Sequence, residues 1–145
     1  MGDIAEDIQS SFPSEKVKAL INIKYTANWI ESHQTAFFKP YGISPQQFNI
    51  LRILNGAGEP IKVQSIKDRM IERAPNATRL MDKLCAKGLI DRIPCPNDRR
   101  VVHIEITKEG IALLAKIKKE YNEDILKNLN QNEAKQLSDL LDKIR

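Results

Sequence analysis

The sequence predicts a mostly α, α+β fold in which one short β-hairpin interrupts a series of helices. Three observations predict it. Apolar residues recur at three- and four-residue intervals through most of the chain, the mark of amphipathic helices. One stretch alone, Leu89 to Thr107, changes to strand character, and its second half alternates strictly. Capping and stop residues fall where the helical runs begin and end, as at Ser44, Gly88 and Thr107.

The first helix is predicted from Ser14 to Phe38. Leu20, Ile23, Ala27, Ile30 and Phe37 form one seam, and Val17, Ile21 and Trp29 add a second face. One small domain rarely needs two apolar faces on its first helix. Lys39-Pro40-Tyr41-Gly42 breaks it. The next helix opens at "ISPQQF", with Ser44 as N-cap, Pro45 at the first helical position, Gln47 completing a capping box and Ile43 placed to staple against Phe48. It carries Phe48, Leu51 and Leu54 inward and ends at "NGAGEP". Ile61 is a short extended residue before a third helix with Val63, Ile66 and Met70 inward, ending near Glu72-Arg73.

A fourth helix is predicted to open at Pro75 and stop at Gly88. Ala77, Leu80, Met81 and Leu84 line one side of it, leaving Asn76, Thr78, Arg79, Lys83 and Lys87 on the other. "LIDRI" and "VVHIEIT" then make a two-stranded hairpin, with Pro94, Pro96 and Asn97 in its turn and Asp98, Arg99 and Arg100 at its tip. Thr107 caps a long helix with Ile111, Leu114, Ile117, Tyr121 and Ile125 on it. Asn130 and Glu133 start a last one that buries Leu137, Leu140, Leu141 and Ile144.

A chain of 145 residues, 41% hydrophobic and 29% charged, suits one integrated globular domain. No apolar run is long enough to span a bilayer, and the N-terminal "MGDIAEDIQSSFPSE" is too acidic and polar for a signal or transit peptide. Glu6 stands where a myristoylation signal wants Ser or Thr. The expected location is therefore the cytoplasm. Cys85 and Cys95, with only His33 and His103 beside them, match no zinc pattern and make no disulfide framework. No metal or other cofactor is expected. No Gly-rich phosphate loop and no nucleophile with a base partner is present, so the chain does not read as an enzyme.

Net charge is modest at +4, but its distribution is uneven. Between Ile61 and His103 there are ten Lys and Arg against five Asp and Glu, a local balance of +5 that exceeds the whole chain's. A polyanion partner explains such concentration, although a solvated face is the commoner cause of a single basic run.

Three helices followed by a two-stranded hairpin is the order of a winged helix-turn-helix, in which the helix before the hairpin enters the major groove. Asn76, Thr78 and Arg79 stand at the amino end of that helix, where side chains reach base edges. Arg pairs with guanine and Asn with adenine, so Asn76 and Arg79 are the candidates for direct readout, with Lys83 and Lys87 on the backbone. Taken singly, each has a plainer reading: Asn76 as a turn residue, and Arg79 or Lys83 as a surface partner of Asp82.

The stretch "NATRLMDKLCAKGLIDRIPCPNDRRVVHIEITKEG", Asn76 to Gly110, resembles the MarR (multiple antibiotic resistance regulator) family from recognition helix through wing into the next helix. Asp98-Arg99-Arg100 followed by Thr107 and Gly110 is its specific part, and "GISPQQFNILRIL" resembles the family's second helix. The resemblance implies a dimeric, sequence-specific regulator of transcription, a repressor released by a small aromatic or phenolic ligand. Residues 1–43 and 107–145 would supply dimerisation helices and 44–106 the winged helix-turn-helix.

It also implies that Arg99 and Arg100 enter or flank the minor groove, with Asp98 bracing one of them. A symmetric dimer would present two recognition helices about one DNA turn, ~34 Å, apart to a pseudo-palindromic double-stranded operator. A ligand cleft between dimer helices and winged domain would involve Trp29, His33, Phe37, Phe48 and Arg52, with Phe38 and Tyr41 nearby. The peroxide-sensing branch needs a cysteine near the end of the first helix, and none is there. Cys85, in the recognition helix, and Cys95, on the wing, leave oxidation as a separate route to disturbed DNA binding. The alternative reading is a winged helix used only for protein contacts.

Overall fold

The computed structural model describes residues 2–73, 75–121 and 125–145. In chain order its elements are α1 (Ile4–Asp7), α2 (Glu15–Phe38), α3 (Pro45–Ala57), β1 (Ile61–Lys62), α4 (Val63–Arg69), α5 (Ala77–Ala86), β2 (Ile90–Pro94), β3 (Val102–Ile106), α6 (Lys108–Glu120) and α7 (Gln131–Ile144). This is the expected mostly α winged helix-turn-helix with a hairpin wing and long helices at both ends.

Local signals set the boundaries. Ser14 caps α2 by accepting from the Val17 N–H at 3.3 Å. A single 3-10 turn at Lys39–Tyr41 and a left-handed Gly42 then reverse the chain. The capping box of α3 is complete: Ser44 Oγ accepts from the Gln47 N–H at 3.1 Å, and Gln47 Oε1 accepts from the Ser44 N–H at 3.0 Å. Such a cap stabilises a helix by about 1 kcal/mol. Ile43 is buried and Phe48 packs on the same core, as a hydrophobic staple requires.

The core runs from Phe38 to Ile117, through Ile50, Leu51 and Leu54 of α3, Ile66, Met81, Leu84, Ile90 and Ile104. Ile50 and Gln47, outside the stripe of Phe48, Leu51 and Leu54, are buried as well, because α3 is enclosed by α2, α4, α5, α6 and β3 at once. A helix surrounded in this way buries more than one stripe.

Several expected boundaries move. Helix α4 stops at Arg69 rather than at Glu72-Arg73, because Met70 turns extended (ψ 138°) and is buried in the core. Helix α5 starts at Ala77 rather than Pro75, since Asn76 has non-helical backbone angles and Pro75 belongs to the turn. The wing gains a third strand: β1 pairs antiparallel with β3, placing Ile61 opposite Ile104, in the sheet order β1-β3-β2. Pro94 is the last residue of β2, opposite Val102, rather than part of the loop. An edge strand tolerates it there.

Helix α6 ends at Glu120, and the expected helical run to Ile125 does not hold: Ile125 lies in a turn, and residues 122–124 lie outside the described residues. Ile117 is buried, but Ile111 and Tyr121 are exposed. Helix α7 has its capping box at Asn130 and Glu133 but buries no residue; Leu137, Leu140 and Ile144 are exposed and Leu141 is half-buried. Helix α1 lies ahead of the predicted elements. It is capped by Asp3, buries Ile4, and is tied to α2 by an Asp3–Lys18 ion pair at 3.1 Å.

The close fit between α6 and the wing has a specific cause. Thr107 Oγ1 donates to Gly88 O at 2.7 Å and accepts from the Gly110 N–H at 3.1 Å, so one side chain joins the stop of α5 to the start of α6. Gly88 makes that stop with φ +71°, a left-handed angle that favours glycine. A Cβ on Gly110 would sit 2.4 Å from Leu89 O, so only glycine fits that contact.

Candidate nucleic-acid interface

Helix α5 is anchored by one face and free on the other. Ala77, Met81 and Leu84 are buried, while Thr78, Arg79, Lys83 and Lys87 are exposed. Gln47 adds a polar tie, its Nε2 donating to Leu80 O at 3.4 Å. Asn76 occupies the N-cap position without making a side-chain cap bond, so its carboxamide is not consumed by the helix. First-turn N–H groups of a helix lack intrahelical acceptors and suit an anionic oxygen.

Asp82 resolves the plainer reading of these charges. It pairs with Arg92 of β2 rather than with Arg79 or Lys83. Among the described residues neither Arg79 nor Lys83 has an ion-pair partner. The Asp82–Arg92 pair also connects the helix to the wing strand directly.

At the wing tip, Cys95 N–H donates to Val101 O at 3.0 Å and Val101 N–H to Asp98 O at 3.1 Å, closing the loop. The expected brace is different in kind. Asp98 Oδ1 accepts from the Arg100 backbone N–H at 2.9 Å, and among the described residues no ion pair joins it to either guanidinium. A short carboxylate two residues from an N–H closes an Asx turn more readily than it reaches a long, solvated side chain. Asp98 therefore shapes the backbone that carries Arg99 and Arg100, both exposed.

One concavity adjoins the turn before α5 and a second adjoins α5 itself. The first, of about 680 Å³, lies along α4 and the turn that follows, lined by Gln64, Lys67, Asp68, Met70, Arg73 and Pro75. Lys67 and Arg73 were missed as site candidates from the sequence, although both belong to its basic segment. The other, about 380 Å³, lies between the end of α2 and α5; Thr35, Lys39, Ser44, Lys83 and Lys87 are among its lining residues.

None of Trp29, His33, Phe37, Phe48 and Arg52 lines either concavity. Trp29 and His33 meet on α2 with their rings tilted by 39° and ring centroids 4.1 Å apart. Phe37 meets Tyr121 edge-on at 4.9 Å, Phe38 stacks on Phe48 at 4.5 Å, and Arg52 lies over Phe48 at 6.0 Å. Tyr41 joins the group and donates to Glu120. This aromatic joint packs α2 against α3 and α6.

Cys85 is half-buried against the core, and burial pushes its thiol above the ordinary range, with nearby Arg92 acting in the opposite sense. That environment suppresses the reactive thiolate. Both cysteines are free. Among the described residues no cluster of His, Cys, Asp and Glu could hold a metal ion, and no helix is long and apolar enough to cross a membrane.

Residues 43–102 match the model of the MarR family. The chain is 27% identical over 133 residues to the HTH-type transcriptional regulator MhqR of Bacillus subtilis, covering 90% of this chain and 91% of that one. It is 31% identical over 112 residues to the multiple antibiotic resistance protein MarR of Salmonella typhimurium, covering 74% and 77%. Among solved structures, a cysteine mutant of MarR from E. coli complexed with operator DNA superposes with a TM-score of 0.77 at 26% identity, over 92% of this chain and 99% of that one.

Proposed function

Because the chain belongs to the MarR family, whose members here are transcription regulators rather than enzymes, we propose that it is a cytoplasmic, dimeric repressor that binds a pseudo-palindromic operator. The observation that carries the DNA-binding part is the pairing of a recognition helix anchored by Ala77, Met81 and Leu84 with a free basic face. Asn76, Thr78 and Arg79 would read base edges, and Lys83 and Lys87 would hold phosphates. Arg99 and Arg100 would read minor-groove shape from a tip ordered by Asp98. Lys67 and Arg73 would extend the phosphate contacts along α4.

Dimerisation is supported by the apolar faces that α2 and α7 leave uncovered, Leu20 and Leu140 among them. Two copies joined there would bring the recognition helices about one DNA turn, ~34 Å, apart. For a ligand, the cleft between α2 and α5 is the better candidate than the aromatic joint. Lys39, Lys83 and Lys87 on its walls suit an anion such as a phenolate or aromatic carboxylate, and a ligand there would draw two of those lysines away from DNA.

Selection from a random duplex pool, followed by anisotropy titration at several salt concentrations, tests this reading. A palindromic consensus and a steep linear fall of log affinity with log salt are expected. Arg99→Ala and Arg100→Ala should each lower affinity about tenfold and flatten the salt slope by about one. Binding of no duplex above random-sequence affinity at physiological salt would leave the chain a protein-contact module.

A further inference from the structure

Beside the buried residues of α3 stand Gln46 and Asn49, one helical turn apart and both half-buried. Both reach the turn between α4 and α5. Asn49 Oδ1 accepts from the Ile71 N–H at 3.1 Å, and Gln46 Nε2 donates to Glu72 Oε2 at 3.0 Å. That turn determines where the recognition helix starts. Gln46 does something more: the same nitrogen lies 3.4 Å from Glu31 Oε1 on α2, a looser contact to a different element.

A carboxamide nitrogen carries two N–H groups, one for each acid. Without it, α2 and the turn would present two carboxylates to each other with no donor between them. The charge balance agrees with this placement. Burial raises the Glu31 carboxyl above its ordinary range, the charge of Glu72 raises it further, and the bond from Gln46 acts in the opposite sense.

We propose that Gln46 is a positioning residue for DNA recognition, its carboxamide clasping Glu31 of the long helix and Glu72 of the turn so that the recognition helix moves with α2. The inference rests on the DNA-binding reading above and adds a route by which displacement of the long helix reaches the DNA face. Met70 anchors the start of this turn in the core, but Ile71 is 88% exposed and Glu72 is exposed, so hydrophobic burial does little to hold the residues beyond it. Side-chain bonds from α3 are what remain.

The test exploits polarity. Gln46→Glu puts a third carboxylate between the two acids, and the Ile71 amide should then exchange hydrogen about tenfold faster, the size expected for losing one charge-assisted bond. Adding Glu31→Gln and Glu72→Gln together restores both carboxamide–carboxylate bonds with donor and acceptor reversed, and exchange should return to within about twofold of the unmodified protein. The second readout is the ratio of affinities for the best duplex from the random pool and a scrambled duplex, in which the added charge largely cancels. It should fall about tenfold in the single variant and recover in the triple variant, as expected when charge-assisted bonding is lost and remade.

Unchanged Ile71 exchange in Gln46→Glu would overturn the clasp, and so would a loss that Glu31→Gln with Glu72→Gln does not repair. An exchange response with an unaltered affinity ratio would overturn its role in recognition. If the unmodified protein prefers no duplex, the DNA reading fails, while the exchange pair still decides the clasp.

Discussion

Residues 38–117 and the flanking helices α2 and α7 carry apolar residues at helical spacing with opposite results. Within 38–117, α3 buries Gln47, Ile50, Leu51 and Leu54, and the apolar faces of α4, α5 and β3 close on it. Outside, α2 buries only Phe38, at its last position, and α7 buries nothing although Leu140 and Ile144 are 62% and 68% exposed. Periodicity says which face wants cover. It does not say whether the cover lies in the same chain. For α2 and α7 the proposed cover is a second copy.

The strongest way to break this contrast is to charge the uncovered face. Leu140→Glu should convert the proposed dimer to a monomer by sedimentation while leaving the winged region folded. Affinity for a full palindrome should fall by about two orders of magnitude or more, because the second half-site no longer gains from tethering. A dimer that persists would mean that α7 is covered some other way.

Next in size is a cavity in the covered region. Leu51→Ala should cost about 2–5 kcal/mol, the range for deleting a buried leucine. The sharper point is concentration. Loss at Leu51, fully buried within the chain, should include a component that is the same in dilute and concentrated protein, whereas the cost of Leu140→Ala should appear only through the dimer equilibrium. Denaturant melts across a hundredfold range of protein concentration separate the two.

A third prediction concerns the seam between the regions. Gly110→Ala would set a methyl 2.4 Å from Leu89 O and 2.6 Å from Ile106 Cγ1, so α6 must shift off the wing. Overpacking of this kind costs about 1–3 kcal/mol. Thermal melts of the variant should show that loss, and amides near Thr107 should lose protection from hydrogen exchange.

What was legible in the sequence follows the same division. Ser44, Pro45, Gln47, Gly88, Thr107 and Asn130 act within a few residues of themselves, and their roles could be read directly. The pairing of β1 with β3 joins residues about forty positions apart, and a two-residue strand carries too little pattern to announce it. The stop expected at Glu72-Arg73 fails because tertiary burial of Met70 overrides helical continuity, and the start expected at Pro75 fails because Asn76 takes non-helical backbone angles. At the candidate site the exposed face of α5 was legible as the remainder after the apolar face is taken. The role of Asp98 was legible as to residue but not as to atom, since an aspartate before two arginines suggests a charge pair and instead closes a turn. Gln46 was not legible at all: a half-buried glutamine belongs to no periodic pattern.

The smallest expected effect lies inside the winged region, at Asp82 and Arg92. Both side chains of this pair are about half exposed, with relative accessibilities of 53% and 46%, so it should contribute under about 1 kcal/mol to folding. Asp82→Asn should therefore barely move the melting temperature. Its effect on DNA should be larger in proportion and of the opposite sign. The substitution removes the one acidic side chain on α5 and releases Arg92 beside the wing, so affinity for a random-sequence duplex should rise a few-fold at low salt and converge with the unmodified protein near 0.5 M salt, where screening is short-ranged. Preference for the selected duplex should fall, because the added attraction is blind to sequence. A drop in random-sequence affinity would mean that Asp82 holds Arg92 in a contact with DNA and that the pair belongs to the interface itself.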